Sequence, residues 1–208
     1  MKTFKDFLAE GGSYNNWLLR DTNQHLTTVA KGRGDYNSSI SKKLHADNNF
    51  SDDHIKAIQN YSKSSKSLNQ ALINNETLSD EQAHLVHHLD DAIDKNRIKH
   101  RMTLYSGLGF DPREKADSEK IIKTPSYLST SHEKLTADRG TKNTYDKHML
   151  QIHAKPGDPI THISGVSNYG YEHESILGRN TKLKLKKTEE YYDNHTDSNV
   201  YVHHVTLA

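Results

Sequence analysis

Two glutamates separated by one residue are the side chains of this sequence best suited to chemistry. Glu172 and Glu174 stand in the run Tyr171-Glu172-His173-Glu174, and in an extended strand residues two apart point to the same face. Neighbouring carboxylates repel, so the pKa of one tends to rise, and the pair can divide proton transfer and charge stabilisation between them. Taken alone, the pattern is also typical of a solvent-facing strand edge.

A run of hydroxyl side chains is the second candidate. Ser129, Thr130 and Ser131 lie in a β-rich stretch, where the two serines share one strand face. Hydroxyl groups in this arrangement can support a polar pocket, but by itself such a run is typical of an ordinary strand.

Histidines at helical spacing are the third candidate. His84, His87 and His88 occupy positions i, i+3 and i+4, a spacing that can bind a metal ion. No glutamate follows in the metalloprotease position, no fourth ligand is evident, and a chain with 15 histidines produces such spacings by chance. The adjacent pair His203-His204 is likewise attributed to chance in a histidine-rich chain. The sequence therefore predicts no metal site.

The elements that must position these residues fall into two halves. Residues 51–60, 61–75 and 79–95 carry apolar side chains at helical spacing, and Ser79 with Gln82 predicts a capping box at the start of the last helix. Beyond residue 100 the pattern changes to short β-rich runs at 102–105, 126–131, 148–153, 175–177, 182–186 and 200–205. Helices followed by strands predict an α+β fold.

Composition excludes several classes of protein. The 208 residues include no cysteine, which rules out disulfides, zinc–thiolate sites and a thiol nucleophile. A net charge of +1 lacks the basic excess of a strong non-specific nucleic-acid binder. No apolar stretch approaches the roughly 20 residues that span a bilayer, so we expect no membrane partner.

The first ten residues form a unit of their own, with apolar side chains at helical spacing before a pair of glycines. An ordinary N-terminal helix is one interpretation. The segment also resembles the capsid-targeting leaders of internal head proteins of T-even-type phages, in which a prohead protease cuts after Glu in a Leu/Ile-x-Glu motif. Leu8-Ala9-Glu10 before Gly11 is similar to that motif. The resemblance implies cleavage after Glu10, packaging in the phage virion and delivery to the bacterial cytoplasm.

Three segments, taken in order, resemble the ADP-ribosyltransferase exoenzyme family. Residues 58–72 are similar to its I-x-x-Y-T/S…I/L-N-x-x-L helix, Ser129-Thr130-Ser131 to its serine-bearing strand, and the E-x-E run to its glutamate motif. The resemblance covers roughly residues 50–190. Together, the two resemblances imply a leader at 1–10, a polar helical segment at 11–50, and a domain at 51–208 with the exoenzyme family's split two-sheet β core.

The activity that the resemblance implies is mono-ADP-ribosylation with NAD as the donor and no metal. An E-x-E, rather than a Q-x-E, is the arginine-modifying form, so host proteins are the implied acceptors, with transcription or translation components as candidates. The loop before the E-x-E, residues 164–170, resembles the one that selects the target in this family, and Tyr169 or Tyr171 is implied to contact that target. A monomer is expected. There are two alternatives. One is a catalytically decayed head protein that binds DNA or a host factor, and the other is an NAD glycohydrolase.

The resemblance also implies a role for each motif residue. Glu174 resembles the catalytic carboxylate, which binds the nicotinamide-ribose 2′-hydroxyl and stabilises an oxocarbenium-like transition state. Glu172 resembles the residue that orients and deprotonates the acceptor guanidinium. Ser129 resembles the serine that supports the NAD pocket and positions the catalytic glutamate, and Thr130 and Ser131 complete that strand.

One motif departs from the family pattern. Tyr105-Ser106-Gly107 stands where the family has aromatic-Arg-Gly, whose arginine binds the NAD phosphates. The backbone of Gly107 is still implied to hold the nicotinamide amide. Arg101 is the first candidate for the missing arginine, since a bulge could bring it to the other strand face. The other candidates are Arg97, Arg113, Arg139 and Arg179.

Overall fold

The computed structural model describes residues 33–139, 141, 146–194 and 196–208. The predicted leader at residues 1–10, with its cleavage position Glu10, lies outside these described residues. Among the helices in the described ranges, none combines the length and the apolar character that a membrane-spanning segment needs.

Four helices precede the sheet in the described part of the chain: α1 (Arg33–Ala46), α2 (Asp52–Lys63), α3 (Ser65–Asn74) and α4 (Asp80–Lys95). The Ser79 hydroxyl accepts a hydrogen bond from the backbone N–H of Gln82, whose side chain accepts one from the backbone N–H of Ser79. The predicted capping box is therefore confirmed. Ser51 and His54 form an equivalent box at the start of α2.

Eight strands follow: β1 (Met102–Leu108), β2 (Ile121–Thr124), β3 (Leu128–Ser131), β4 (Asp146–Ala154), β5 (Ile160–His162), β6 (Glu174–Leu177), β7 (Thr181–Asp193) and β8 (Ser198–Leu207). Hydrogen bonds join them in the order β2-β7-β8-β4-β1-β3-β6-β5. β4 and β8 run parallel, and the other neighbours are antiparallel. Between the strands lie α5 (Lys134–Arg139) and two 3₁₀ turns, Pro112–Lys115 and Gly170–Glu172.

The sheet divides into two parts where β1 meets β3. These strands are joined at one register pair, Tyr105 with Ser131, whereas β1 and β4 pair along the whole of Met102–Leu108. A five-stranded part, β2-β7-β8-β4-β1, thus meets a three-stranded part, β3-β6-β5. Helices followed by a split β core confirm the predicted α+β fold, and the poorly paired seam between the two parts leaves room for a cleft.

Buried apolar clusters fix both parts of the sheet to the helices. Ile40 and Leu44 of α1 join the cluster that contains Leu104 and Ile152 of the five-stranded part. Ile58 of α2 and other apolar residues of α2–α4 pack against Ile176 of β6. The helices therefore hold β6, the strand that begins with Glu174, in a fixed place relative to the rest of the sheet.

Candidate active site

A cavity of about 350 Å³ lies at the seam between β1 and β3. Residues from β1, β3, α5 and the segment that leads into β6 line it: Tyr105, Ser106, Gly107, Ser129, Thr130, Ser131, Thr136, Ala137, Glu172 and Glu174. The fold therefore brings the E-x-E, the Ser-Thr-Ser strand and the Tyr-Ser-Gly triplet to one place. Thr136 and Ala137 of α5 were not among the residues expected from the sequence.

Glu174 is the most perturbed acidic group of this cavity. It begins β6, lies opposite Ser131 in the strand register, and has 7% of its surface exposed. Burial raises the pKa of its carboxyl to about 7, while a hydrogen bond from the Ser129 hydroxyl lowers it and the charge of Glu172 raises it. A buried carboxyl that titrates near neutral pH inside a cavity is typical of a functional site.

Glu172 reaches the same cavity by a different route from the one expected. It ends the 3₁₀ turn Gly170–Glu172, and His173 has a left-handed backbone with φ of 51°. The expectation that one extended strand carries both glutamates on the same face is therefore wrong. The reversal at His173 and the turn before it place both side chains at the cavity, since Glu172 and Glu174 both line it.

Ser131 holds that turn in place. Its hydroxyl donates a hydrogen bond of 2.8 Å to the backbone carbonyl of Glu172 and accepts one of 3.0 Å from the backbone N–H of Glu133. The middle residue, Thr130, donates to the carbonyl of Ser175 at 2.8 Å, which joins β3 to β6. The Ser-Thr-Ser strand thus fixes the backbone on both sides of Glu174.

A buried tyrosine supports Ser129 from behind. The hydroxyl of Tyr61 in α2 lies 3.5 Å from the Ser129 hydroxyl and accepts a hydrogen bond of 3.3 Å from the Asn69 side chain. Burial raises the pKa of Tyr61 above its ordinary value, so the hydroxyl stays neutral. Asn69, Tyr61, Ser129 and Glu174 therefore form one polar chain from helix to carboxyl. Tyr61 and Asn69 occupy fixed positions of the helix motif, which was the signal available in the sequence.

Ser106 has a structural use at the seam. Its hydroxyl donates a hydrogen bond of 2.9 Å to the backbone carbonyl of Ser129, which ties β1 to β3 beside their one register pair. Tyr105, which precedes it, is buried, and the ammonium of Lys134 lies 5.4 Å from its ring centroid. Tyr105, Ser106 and Gly107 all line the cavity, with Lys134 of α5 in contact with its wall.

None of the arginine candidates whose side chains the structure describes lines this cavity. Arg101 is exposed and precedes β1. It stands four positions before Tyr105, which corresponds to about 13 Å along an extended strand, so the structure does not support the predicted catalytic role of Arg101. Arg97 binds Asp94, Arg113 binds Asp111 and Arg179 binds Asp90. The side chain of Arg139 is outside the described residues.

Other predicted positions are found at the surface. Tyr169 and Tyr171 are exposed beside the turn that carries Glu172, with Tyr171 at 68% exposure and their ring centroids 6.2 Å apart. On α4, His84 is exposed and His88 is half-buried, with their Nε2 atoms 3.1 Å apart. The metal-capable cluster found among the described residues does not include the α4 histidines.

A family model for the ADP-ribosyltransferase exoenzymes matches residues 33–207. The chain belongs to this family. The resemblance inferred from the sequence is thereby confirmed at the level of the family, and NAD is the substrate that goes with it. A comparison with curated protein sequences gives no significant match.

Solved structures of ADP-ribosyltransferases share the fold at low sequence identity. An ADP-ribosyltransferase from Clostridium botulinum superposes with a TM-score of 0.65 at 13% identity, over 86% of this chain and 99% of its own. The C3 exoenzyme of Clostridium limosum gives 0.66 at 14% identity, over 86% and 97%. Exoenzyme S from Pseudomonas aeruginosa, solved with carba-NAD and human 14-3-3 protein beta, gives 0.60 at 19% identity, over 74% of each chain.

Proposed function

We propose that this ADP-ribosyltransferase transfers ADP-ribose from NAD to arginine side chains of host proteins. The observation that carries the proposal is one cavity lined by both glutamates of the E-x-E and by the Ser-Thr-Ser strand. Glu174 lies in the buried part of this cavity and Glu172 is only half-buried. This arrangement suits a buried donor site that opens toward a protein acceptor.

The chemistry at Glu174 is electrostatic. As the bond between the ribose C1′ and nicotinamide breaks, nicotinamide leaves with the bonding electron pair and positive charge develops on the ribose. An ionised Glu174 stabilises that charge and accepts a hydrogen bond from the 2′-hydroxyl. The Ser129 hydroxyl, held by Tyr61, keeps the carboxylate in place.

Glu172 serves the acceptor. A guanidinium is almost fully protonated in water and lacks a lone pair for attack. The carboxylate of Glu172 takes one of its protons as the nitrogen attacks C1′, so the new carbon–nitrogen bond forms without building a second positive charge. The exposed Tyr169 and Tyr171 provide the adjacent contact surface for the acceptor protein.

Lys134 is our candidate for the cation that neutralises the NAD phosphates. It does not itself line the cavity, but it is buried, begins α5 soon after the Ser-Thr-Ser strand, and places its ammonium 5.4 Å from the ring centroid of Tyr105, which does line it. Substituting Lys134 by Gln is expected to raise the NAD concentration needed for half-maximal activity, with the exposed Lys56 changed to Gln as the control. Equal effects of the two changes would contradict this role.

Labelled NAD and a bacterial lysate test the activity. The wild-type protein should label lysate proteins on arginine residues identified by mass spectrometry, and Glu174→Gln should abolish the label while the exposed-site variant Glu119→Gln retains it. Glu172→Ala is expected to lose transfer and retain slow NAD hydrolysis. The proposal is wrong if the wild-type protein labels no lysate protein, or if Glu174→Gln labels lysate proteins as strongly as the wild type does.

The alternative of a decayed site is favoured by one observation, the serine at the position where the family has its phosphate-binding arginine. Thermal unfolding with and without NAD separates the two functions, because a ligand that binds the native state raises the melting temperature. A shift that grows with NAD concentration supports the transferase. The absence of any shift supports a non-catalytic protein that binds DNA or a host factor.

We further propose that the protein is packaged in a phage capsid after removal of residues 1–10. The Leu8-Ala9-Glu10 motif before Gly11 supports this proposal. Mass spectrometry of purified virions is expected to detect the chain with Gly11 as its first residue. A protein that is missing from virions, or that retains residues 1–10 there, contradicts packaging by this route.

A further inference from the structure

Asp111, His148 and His203 form a second cluster of chemistry-bearing side chains. One carboxylate oxygen and two imidazole nitrogens lie within 4.8 Å of one another. His148 is on β4 and His203 on the neighbouring parallel strand β8, while Asp111 follows β1 in the loop before the 3₁₀ turn Pro112–Lys115. The cluster thus joins a loop and two strands that are far apart in the sequence.

This cluster lies on the sheet face opposite the candidate active site. Tyr105, which lines the active-site cavity, packs in one apolar cluster with Met149 of β4. Leu150 belongs to the cluster on the other face. Side chains alternate along a strand, so His148 shares the face of Leu150. The cluster is therefore separate from the cavity that holds the two glutamates.

The distances fit the coordination sphere of a metal ion. The Nδ1 atom of His148 lies 3.1 Å from Nε2 of His203 and 4.0 Å from Oδ1 of Asp111. Two ligands bound at about 2.1 Å with a tetrahedral angle between them are about 3.4 Å apart. The first separation, which is that of a hydrogen bond between the two imidazoles, must widen by about 0.3 Å, and the second must shorten by about 0.6 Å through movement of the Asp111 side chain.

The imidazole nitrogens that would bind the ion face each other in a hydrogen bond of 3.1 Å, which the ion replaces as the rings turn toward it. The hydroxyl of Thr188 lies 3.0 Å from Nδ1 of His203, which leaves Nε2 directed at the cluster. Histidines that bind metals ordinarily have a partner of this kind on the second ring nitrogen. His203 is fully buried, and the ring of His148 is stacked between those of His203 and Tyr201, with interplanar angles of 17° and 16°.

The electrostatic surroundings attract a cation and give it a way in. A cavity of about 450 Å³ reaches the cluster, and the carboxylates of Asp111, Glu114 and Asp146 line it beside His148. Arg113 opposes the attraction, since its guanidinium and backbone N–H donate to the Asp111 carboxylate. Because the Oδ1 atom of Asp111 already accepts hydrogen bonds from the backbone N–H and the Nε–H of Arg113, an ion that binds this oxygen displaces one of them.

We propose that Asp111, His148 and His203 bind one divalent transition-metal ion of the zinc class, with water completing its coordination. Two imidazoles and one carboxylate are a donor set that such ions prefer over calcium or magnesium. The ion ties the loop after β1 to β4 and β8 on the far side of the sheet. Its role is structural, and the site is independent of the ADP-ribosyl transfer proposed above.

The test uses the untagged full-length chain, stripped of metal, in a His84→Ala/His88→Ala background. That background removes the histidine pair on α4, whose Nε2 atoms lie 3.1 Å apart, so that zinc bound to this pair is not counted. Calorimetric titration with zinc is expected to show one ion bound per chain and a melting temperature that rises with zinc concentration. The absence of saturable binding in this background overturns the proposal.

Single substitutions then assign the ligands. Asp111→Asn and His148→Gln are each expected to weaken zinc binding at least about tenfold, the lower end of the losses seen for groups that support metal sites. The matched controls Asp94→Asn and His100→Gln lie outside the cluster and should leave the affinity unchanged. Equal affinities in all four variants overturn the proposal.

A spectroscopic measurement covers the case in which the ligand variants do not fold. X-ray absorption at the zinc edge, recorded on the His84→Ala/His88→Ala protein with one equivalent of zinc, should show two imidazoles together with oxygen ligands. Coordination by oxygen atoms alone, or by a single imidazole, contradicts the assignment and identifies the zinc as adventitious.

Discussion

At the scale of single residues, the cavity combines a buried carboxyl with a half-buried one. Glu174 titrates near neutral pH because burial disfavours its charged form. The proposed chemistry needs that charge when nicotinamide leaves. The charged form of Glu174 therefore supports activity and lowers the free energy of unfolding, as is common for active-site residues. The loss of stability can be measured.

Changing Glu174 to Gln is expected to stabilise the protein at high pH. The pKa of Glu174 in the folded state is about 7, above the ordinary value of 4.5. The protonated side chain therefore contributes its full stabilisation below about pH 4.5, and that stabilisation is lost as the pH rises through about 7. At pH 8 the variant should exceed the wild type by up to about 3 kcal/mol. Urea unfolding at pH 4 and pH 8 checks this, with Glu119→Gln as control. An equal difference at both pH values contradicts it.

Tyr61 is a positioning residue that acts through Ser129. Tyr61→Phe keeps the ring, which packs edge-on to Tyr127, and removes the hydroxyl next to Ser129. We expect kcat to fall on the order of fivefold, which corresponds to about 1 kcal/mol, with KM for NAD unchanged. The hydrogen bond from Ser129 lowers the pKa of Glu174, and loss of the Tyr61 hydroxyl weakens that effect. The pKa of Glu174 should therefore rise, and the pH profile of kcat should move to higher pH.

Tyr127→Phe is the matched control for that change. Tyr127 is equally buried, but its hydroxyl donates to Val86 and Asp90, away from Ser129. The Tyr127→Phe variant should be less stable than the wild type, but the pH profile of its kcat should not move. If both variants move the profile alike, Tyr61 is structural only.

At the scale of elements, side-chain hydrogen bonds replace strand pairing at the seam. β1 and β3 share one register pair, and the hydroxyls of Ser106 and Ser131 supply further links from β1 to β3 and from β3 to the turn before β6. The seam can therefore stay open as a cavity while its walls remain fixed. The turn held by Ser131 carries the proposed acceptor side of the site.

Ser131→Ala is expected to affect transfer more than NAD hydrolysis. It removes the hydrogen bond to the Glu172 carbonyl, so the turn loosens while Glu174 stays paired in β6, at a cost of about 1 kcal/mol in stability. The ratio of protein labelling to nicotinamide release should fall. Thr124→Val removes a comparable cross-strand bond between β2 and β7, and should lower stability without changing the ratio. A ratio unchanged by Ser131→Ala contradicts the role of the turn.

At the scale of the whole molecule, each of the two main buried apolar clusters contains side chains from both the helices and the sheet. α1 contributes Ile40 and Leu44 to a cluster that spans both parts of the sheet, and apolar residues of α2–α4 pack against β6 of the three-stranded part. The family match likewise begins at residue 33. The position of the cavity therefore depends on helices that precede the sheet in the sequence.

Ile40→Ala tests whether α1 belongs to the cooperative unit. Ile40 is 0% exposed, and removing a buried isoleucine side chain costs about 2–5 kcal/mol. Ile73 on α3 is 53% exposed, and Ile73→Ala should change stability by less than about 0.5 kcal/mol. Denaturant unfolding compares the two. Equal and small effects would show that α1 packs only loosely.

Patterns that are local in the sequence predicted most elements. The helices at 51–60, 61–75 and 79–95 and the six β-rich runs all correspond to helices or strands of the structure. The polar helical segment expected at 11–50 contains α1, but its bounds were not predicted, because its two core residues stand in a polar run after Gly32-Arg33-Gly34. β2, β5 and α5 are three to six residues long, too short for a periodic pattern to emerge.

The sequence by itself determined the family and the cavity residues that belong to its motifs, because their spacing within single motifs is a local property of the chain, but it did not indicate Thr136 and Ala137. Only the tertiary structure decided how those motifs meet. The turn and the left-handed His173 bring Glu172 to the cavity, the seam at Ser106 closes one wall, and Arg101 stays outside. The parallel pairing of β4 with β8 likewise joins histidines 55 positions apart, since strand register depends on contacts that no local pattern records.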